Sequence, residues 1–176
     1  MTGRAQLYTL PLVCVKYIIP EIFIDGIRRG VLGTKQPFNF ESGELADGYH
    51  ELRIVAIANT PIETQSRKII PFFVNNHDQK LALEVVGTDH VDLDGRVELQ
   101  VTANVGDSIS IMHNSRELAK IEGKEGKATI SCRELGAGIV ELQAVTRHEN
   151  RAILSKPIKL NVMPKAPQKI DSGSVE

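Results

Sequence analysis

The residues closest to a metal-binding pattern stand in the segment TDHVDLDG. Asp89, Asp92 and Asp94 supply carboxylate oxygens shortly before a glycine, as at the start of a calcium-binding loop. The rest of the loop does not fit, because its first position would be His90 and its twelfth would be Val101. The segment therefore favours an acidic turn before a strand, with calcium binding at the three aspartates left open.

The five histidines offer no zinc-binding spacing. They are His50, His77, His90, His113 and His148. No two of them have the spacing HExxH or HxH, and neither cysteine joins them in a zinc pattern. We predict no metal site and no cofactor, and we expect His50 at the surface or rim of a sheet.

The chain also lacks a recognisable set of catalytic residues. It has no G-x-S-x-G segment, and its serines stand mostly in turns. Glu51 and Glu141 stand at equivalent places in separate halves of the chain, whereas the carboxylates of a glycosidase must converge within several ångströms. No glycine-rich segment opens a helix after a strand, as a phosphate loop requires. We therefore predict that the chain is not an enzyme and has no catalytic residues.

Charge and composition restrict the partners. The net charge is −1, so nothing indicates nucleic acid or an anionic membrane as a partner, and no apolar run reaches the roughly 18 residues of a membrane helix. Aromatic residues make up only 5%, which argues against an aromatic-lined groove, and a small-molecule ligand is not expected. The basic segment with Arg28, Arg29 and Lys35 favours a solvated hairpin over a docking site for an acidic partner.

The two cysteines are Cys14 and Cys132. A disulfide between them would have to join the two halves of the chain. We expect them instead to be two small buried side chains, and a count of two does not identify the redox compartment.

One phrase occurs twice in the chain. LADGYHELRIVAIAN begins at Leu45, and LGAGIVELQAVTRHEN begins at Leu135. At a spacing of 88 residues, EIFIDGIRRGVL corresponds to ISIMHNSRELAKI, and SRKIIPFFV corresponds to LSKPIKLNV. Because the three matches keep their order along the chain, they predict two copies of one module.

Alternating apolar residues predict strands in both copies. VELQVTA places Val97, Leu99 and Val101 on one face, and HELRIVAIA repeats the alternation. Turn signals recur about every ten residues, which is typical of a β-sandwich or barrel. The Asp-Gly pair at 25–26 predicts a hairpin turn, and His-Asn-Ser at 113–115 takes the same place in the second copy.

The first copy resembles a bacterial Ig-like domain through the segments IFIDGIRRGVLG, LADGYHELRIVAIAN and RKIIPFFVNN. The second copy is similar to the same family through VELQVTA, ISIMHNSRELAKI, LGAGIVELQAV and SKPIKLNV. The resemblance covers about residues 9–163 and implies an all-β chain of two tandem immunoglobulin-like β-sandwich domains. It brings no catalytic residues with it.

The predicted boundaries are 1–76 for the first domain, 77–164 for the second, and 165–176 for a disordered tail or linker. The polar segment 75–79 joins the two domains. A step of 88 residues back from Leu81 runs off the N-terminus, so the first domain is expected to lack its opening strand. The unpaired edge would need a cover from elsewhere in the assembly or from a longer protein.

The resemblance implies a non-catalytic structural or protein-interaction region, a spacer or adhesion module of a larger bacterial exported protein. Its partners would be other domains of that protein or other proteins, in the extracellular space, at the cell surface or in the periplasm. A carbohydrate-binding module is one alternative, and it would require an exposed aromatic platform. An accessory C-terminal region of an enzyme whose active site lies upstream is the other alternative.

Overall fold

The computed structural model describes residues 18–31, 38–58 and 64–164. These residues form thirteen strands and only two short helical turns, so the predicted all-β class is confirmed. No helix in the described part of the chain is long and apolar enough to cross a membrane. The predicted opening of the first domain, Cys14, Lys35 and the predicted tail lie outside the described residues.

The first half holds one antiparallel sheet of four strands in the order β2-β1-β3-β4. A 3-10 turn, Ser42–Glu44, precedes β3. Alternation decides the faces of the sheet, because Ile22, Ile24 and Leu52 are buried on one side and residues between them point to the other. The four strands are β1 (Ile18–Ile24), β2 (Ile27–Val31), β3 (Gly48–Ala58) and β4 (Thr64–Val74).

The second half is a sandwich of two sheets. The first contains β5 (Leu81–Val86), β7 (Arg96–Ala103) and β10 (Glu125–Ser131), in the order β10-β7-β5. The second has the order β6-β13-β11-β8-β9, with β12 also paired to β11. Its strands are β6 (His90–Asp92), β8 (Ser108–His113), β9 (Arg116–Glu122), β11 (Gly138–His148), β12 (Arg151–Leu154) and β13 (Ile158–Met163).

The sandwich core follows the predicted alternation. Val97, Leu99 and Val101 of β7 are all buried, as the sequence predicted. Ile109 and Leu142 reach the same core cluster from the opposite sheet. A four-residue helix, α1 (Cys132–Leu135), carries Cys132 into this core, so the expectation that this cysteine is buried is confirmed.

Two hairpin turns have the same backbone geometry but different residues. Asp25 and Gly26 join β1 to β2 with φ angles of 51° and 80°. Asn114 and Ser115 join β8 to β9 with φ angles of 46° and 68°. Two-residue turns with both φ angles positive match the right-handed twist of paired strands. The hairpin predicted from the Asp-Gly pair is confirmed, and asparagine tolerates the left-handed region well enough to replace it.

A glycine with the same backbone angle opens a long strand in each half. Gly48 begins β3, Gly138 begins β11, and both have a φ angle of 112°. Their surroundings differ. A methyl group on Gly48 would lie 2.6 Å from the carbonyl oxygen of Leu154, whereas no described atom lies within 4 Å of that position on Gly138. The backbone of Gly48 in the first half therefore lies close to Ile153 and Leu154 in β12 of the second half.

A comparison of alanine substitutions at these two glycines measures the effect of the close approach between the halves on stability. Gly138→Ala is expected to cost about 1–2 kcal/mol, because alanine resists a positive φ angle. Gly48→Ala is expected to cost the same amount plus about 1–3 kcal/mol for the forced approach to Leu154. Urea unfolding of both variants measures the difference. Equal losses would contradict the close approach of Gly48 to Leu154.

Candidate functional site

The joint between the halves is built around the buried carboxylate of Asp47, whose exposed fraction is 1%. One oxygen, Oδ1, accepts a hydrogen bond from the backbone N–H of Asn76 at 2.7 Å. The other, Oδ2, accepts from the N–H groups of His77 at 2.8 Å and Gln79 at 2.9 Å. A buried charge is tolerated where several donors replace the water that it loses. Asp47 thus fixes the segment that leads from β4 to β5.

Burial alone would raise the pKa of Asp47. The three backbone donors and the nearby ring of His77 outweigh that effect, so the pKa is lowered from its usual value of 3.8. The carboxylate therefore stays ionised at neutral pH and keeps all three hydrogen bonds. Ser42 adds a second clamp, because its carbonyl accepts from the side-chain amide of Asn76 at 2.7 Å and its hydroxyl donates to Asn76 Oδ1 at 3.2 Å.

His50 is 4% exposed, so the expectation of a surface or rim position is wrong. Its Nδ1 lies 2.6 Å from a carboxylate oxygen of Asp25, and its Nε2 lies 2.8 Å from the carbonyl oxygen of Ala46. Both partners are hydrogen-bond acceptors, and the protonated imidazolium is the form of the ring that can donate to both. The ring also stacks on Phe72, with centroids 5.5 Å apart. His50 stands two residues before the buried Leu52 in β3, so strand alternation places both side chains on the buried face.

Burial alone would lower the pKa of His50. The hydrogen bonds to Asp25 and Ala46 and the charges of Asp25 and Asp47 outweigh it, so the pKa is raised above 6.5. The pKa of Asp25 responds in the opposite direction, because His50 and the backbone N–H of Glu51 overcome the effect of burial and lower it. The pair joins the β1–β2 turn to the first residues of β3, since His50 is the third residue of that strand.

A half-open cleft of about 630 Å³ lies between the two halves. One wall comes from the β1–β2 turn, β3 and β4, and the other from β11 and β12. Arg29 on the first wall is 3.6 Å from Glu44. Arg53, also on the first wall, lies over the ring of Phe23 at 4.8 Å, and its buried Nε has no hydrogen-bond partner among the described residues. Arg151 enters the cleft from β12.

Tyr49 forms the end of this cleft together with Glu51. Its hydroxyl donates to Glu51 Oε1 at 3.1 Å, and its ring meets Phe73 edge to face at 5.7 Å. Burial, followed by the hydrogen bond to Glu51 and the charges of Glu51, Glu141 and Asp25, raises the pKa of Tyr49 to about 12. The negative potential at this end therefore comes from carboxylates of both halves.

Glu51 and Glu141, which the sequence placed apart in separate halves, line one neighbouring depression of about 230 Å³. Docking of the halves brings the starts of β3 and β11 to the same place, which their positions in separate halves of the sequence did not indicate. Each carboxylate has its own partner, since Tyr49 donates to Glu51 and Lys159 lies 3.1 Å from Glu141. The two glutamates therefore act as a hydrogen-bond-accepting rim.

The three aspartates of the acidic turn are dispersed. Asp89 pairs with the neighbouring His90 at 2.8 Å, and Asp94 pairs with Arg133 at 2.9 Å. Among the described residues, no three His, Cys, Asp or Glu side chains are grouped so that they could hold a metal ion. Asp92 ends the short strand β6. The acidic segment thus contains β6 and the turn that leads from it to β7.

The remaining predicted residues lie outside the cleft or on its edge. His77 stands 3.5 Å from Asp47, His113 lies 3.0 Å from the carbonyl oxygen of Glu141, and His148 lies 3.8 Å from Glu149. The basic hairpin is exposed as expected, with Arg28 paired to Glu21 at 2.9 Å.

No protein-family model matches the chain, and no curated protein matches it. Among solved structures it is similar to the surface glycan-binding protein SGBP-B of the mixed-linkage glucan utilization locus of Bacteroides ovatus, determined in complex with a mixed-linkage heptasaccharide. The sequences are 13% identical, the TM-score is 0.43, and the match covers 88% of this chain and 40% of that chain. A likeness at this level carries no argument about ligand or activity.

The His50–Asp25 pair predicts a specific pH dependence of stability. A raised histidine pKa adds stability that is complete below pH 6.5 and is lost as the pH rises through the raised pKa. We therefore expect the urea midpoint to fall as the pH rises above 6.5. Asp25→Asn, which keeps the turn conformation, should remove that slope and cost about 1–2 kcal/mol at pH 6. Asp89→Asn, in the exposed His90 pair, is the control and should leave the slope unchanged.

Proposed function

We propose that the chain is a non-catalytic pair of tandem Ig-like modules that holds attached parts at a fixed distance and angle. An immunoglobulin sandwich sets strands A, B and E against strands C, F and G. In the second half, β5, β7 and β10 take the places of A, B and E, while β8, β11 and β13 take those of C, F and G. This arrangement supports the Ig-like assignment for residues 77–164.

The first half supports the same assignment through its single described sheet. Its order β2-β1-β3-β4 corresponds to β9-β8-β11-β13 in the second half. The hairpin turns at 25–26 and 114–115, and the glycines that open β3 and β11, stand at corresponding places with similar φ angles. We therefore propose that residues 1–76 are a second copy of the module.

The contacts of the joint between the two halves support a role as a spacer. Modules in one chain move relative to each other by default unless a defined contact prevents it. Here the carboxylate of Asp47 accepts hydrogen bonds from three backbone N–H groups of the joint, and Gly48 lies close to Leu154. A rigid joint transmits orientation as well as distance, as a structural region requires. Placement in a larger exported protein, with its other domains or further proteins as partners, belongs to the same proposal.

A second candidate function is carbohydrate binding, which the sequence left as an alternative. The observation that favours it is the aromatic pair Tyr49 and Phe73, because Phe73 is 53% exposed and lies beside the cleft. Aromatic rings with polar groups close by are the usual lining of small-ligand sites. A glycan array probed with the intact chain and with Phe73→Ser tests this candidate. Binding that Phe73→Ser abolishes would support it, and an array without signal would remove it.

If the joint is fixed by Asp47, the single substitution Asp47→Asn should greatly lower the stability of the chain. Asp47→Asn replaces an acceptor oxygen by an amide that faces backbone donors, so we expect a loss of about 2–4 kcal/mol and faster proteolysis within residues 75–80. Asp78→Asn is the matched control in the same joint, since Asp78 is exposed and asparagine tolerates its φ angle of 58°. The control should stay within about 0.5 kcal/mol of the original chain. Equal behaviour of the two variants would contradict a joint fixed by Asp47.

A further inference from the structure

Two guanidinium groups in the cleft lack a carboxylate partner among the described residues. The other cations that line it are neutralised, because Arg29 is beside Glu44 and His50 is beside Asp25. Arg53 and Arg151 remain, one from each wall of the cleft. Paired charges contribute little net field. The carboxylate of Glu51 also lines the cleft and is held by the neutral hydroxyl of Tyr49, so the two guanidinium groups leave a net positive charge there.

Arg53 is already held in position for a ligand. It stands in the middle of β3, and Phe23 supports its guanidinium group at 4.8 Å, which limits the rotation of the side chain. Its buried Nε has no hydrogen-bond partner. A guanidinium group is a rigid fork of donors that fits the two oxygens of a carboxylate. Arg151, at the start of the short edge strand β12, adds a second fork from the other half.

We infer that the cleft binds an acidic saccharide, a sugar chain whose carboxylate pairs with Arg53 and Arg151. The inference rests on the candidate function of carbohydrate binding and is independent of the spacer proposal. The cleft volume of about 630 Å³ lies within the range of roughly 300–1,000 Å³ of small-ligand sites. Because the two arginines come from different halves, the site is complete only when the halves are docked.

The far end of the cleft favours a sugar over an acidic peptide. Tyr49 and Glu51 stand there, and Glu141 lines the depression that continues beyond them. The side-chain nitrogen of Gln143 donates a hydrogen bond to the carbonyl oxygen of Ser155 at 2.8 Å. The side-chain oxygen of Gln143 remains as an acceptor. Sugar hydroxyls can donate to these acceptors. An acidic peptide such as triglutamate has no hydroxyl groups to donate to these acceptors, whereas every sugar residue has several.

The test is isothermal titration calorimetry of the full chain with three probes: trigalacturonic acid, the neutral galactotriose and triglutamate. We expect trigalacturonic acid to bind at least tenfold more tightly than either of the others. Arg53→Gln and Arg151→Gln should each weaken that binding at least tenfold. Arg28→Gln, on the exposed β1–β2 hairpin and outside the cleft, should not change it. If Arg53→Gln does not fold, Arg151→Gln, at an exposed position, decides the matter.

Each opposite result has a separate meaning. Equal binding of the acidic and neutral sugars, or equal loss in Arg28→Gln, would overturn the acidic specificity and leave carbohydrate binding intact. Stronger binding of triglutamate would replace the sugar by an acidic peptide and overturn the inference. Failure of all three probes to bind would overturn the inference and remove its support for carbohydrate binding, while the rigid joint would be unaffected.

Discussion

A buried carboxylate must be surrounded by donors, and this requirement at Asp47 determines how the two halves meet. Its three partners belong to the joint at 76–79, about thirty residues further along the chain. The segment before β3 and the joint are therefore fixed to each other. Once they are fixed, Gly48 lies against Leu154 and the two walls of the cleft take their places. The corresponding position in the second half is Ala137, so the interaction serves the joint and not the module.

Three successive residues, the last of which opens β3, make three different contacts. Ala46 accepts a hydrogen bond from His50, Asp47 binds the joint, and Gly48 touches the second half. His50 extends the connection to the β1–β2 turn through Asp25. Protonation of one ring thus stabilises the wall that also carries Arg53. The orientation of the halves and the shape of the cleft consequently depend on one short, closely connected segment.

Local patterns predicted much of the fold, because alternation and turn chemistry act over a few residues. The buried face of β7, the turn at Asp25 and the burial of Cys132 all follow from such patterns. His50 was misplaced although its alternation with Leu52 indicated burial, since histidine is polar and its acceptors lie elsewhere in the chain. The partners of Asp47 and the shared depression of Glu51 and Glu141 arise from docking of the halves. No local pattern encodes contacts of that kind.

The most direct test of this account is the relative orientation of the two halves in solution. Residual dipolar couplings of backbone N–H groups in β3 and β4 and in β7 and β11, measured in one alignment medium, report it. We expect the couplings from the two halves to fit a single alignment tensor, with the relative orientation that the structure shows. Two tensors of different magnitude would contradict it, because they would mean that the halves move independently despite the hydrogen bonds of Asp47.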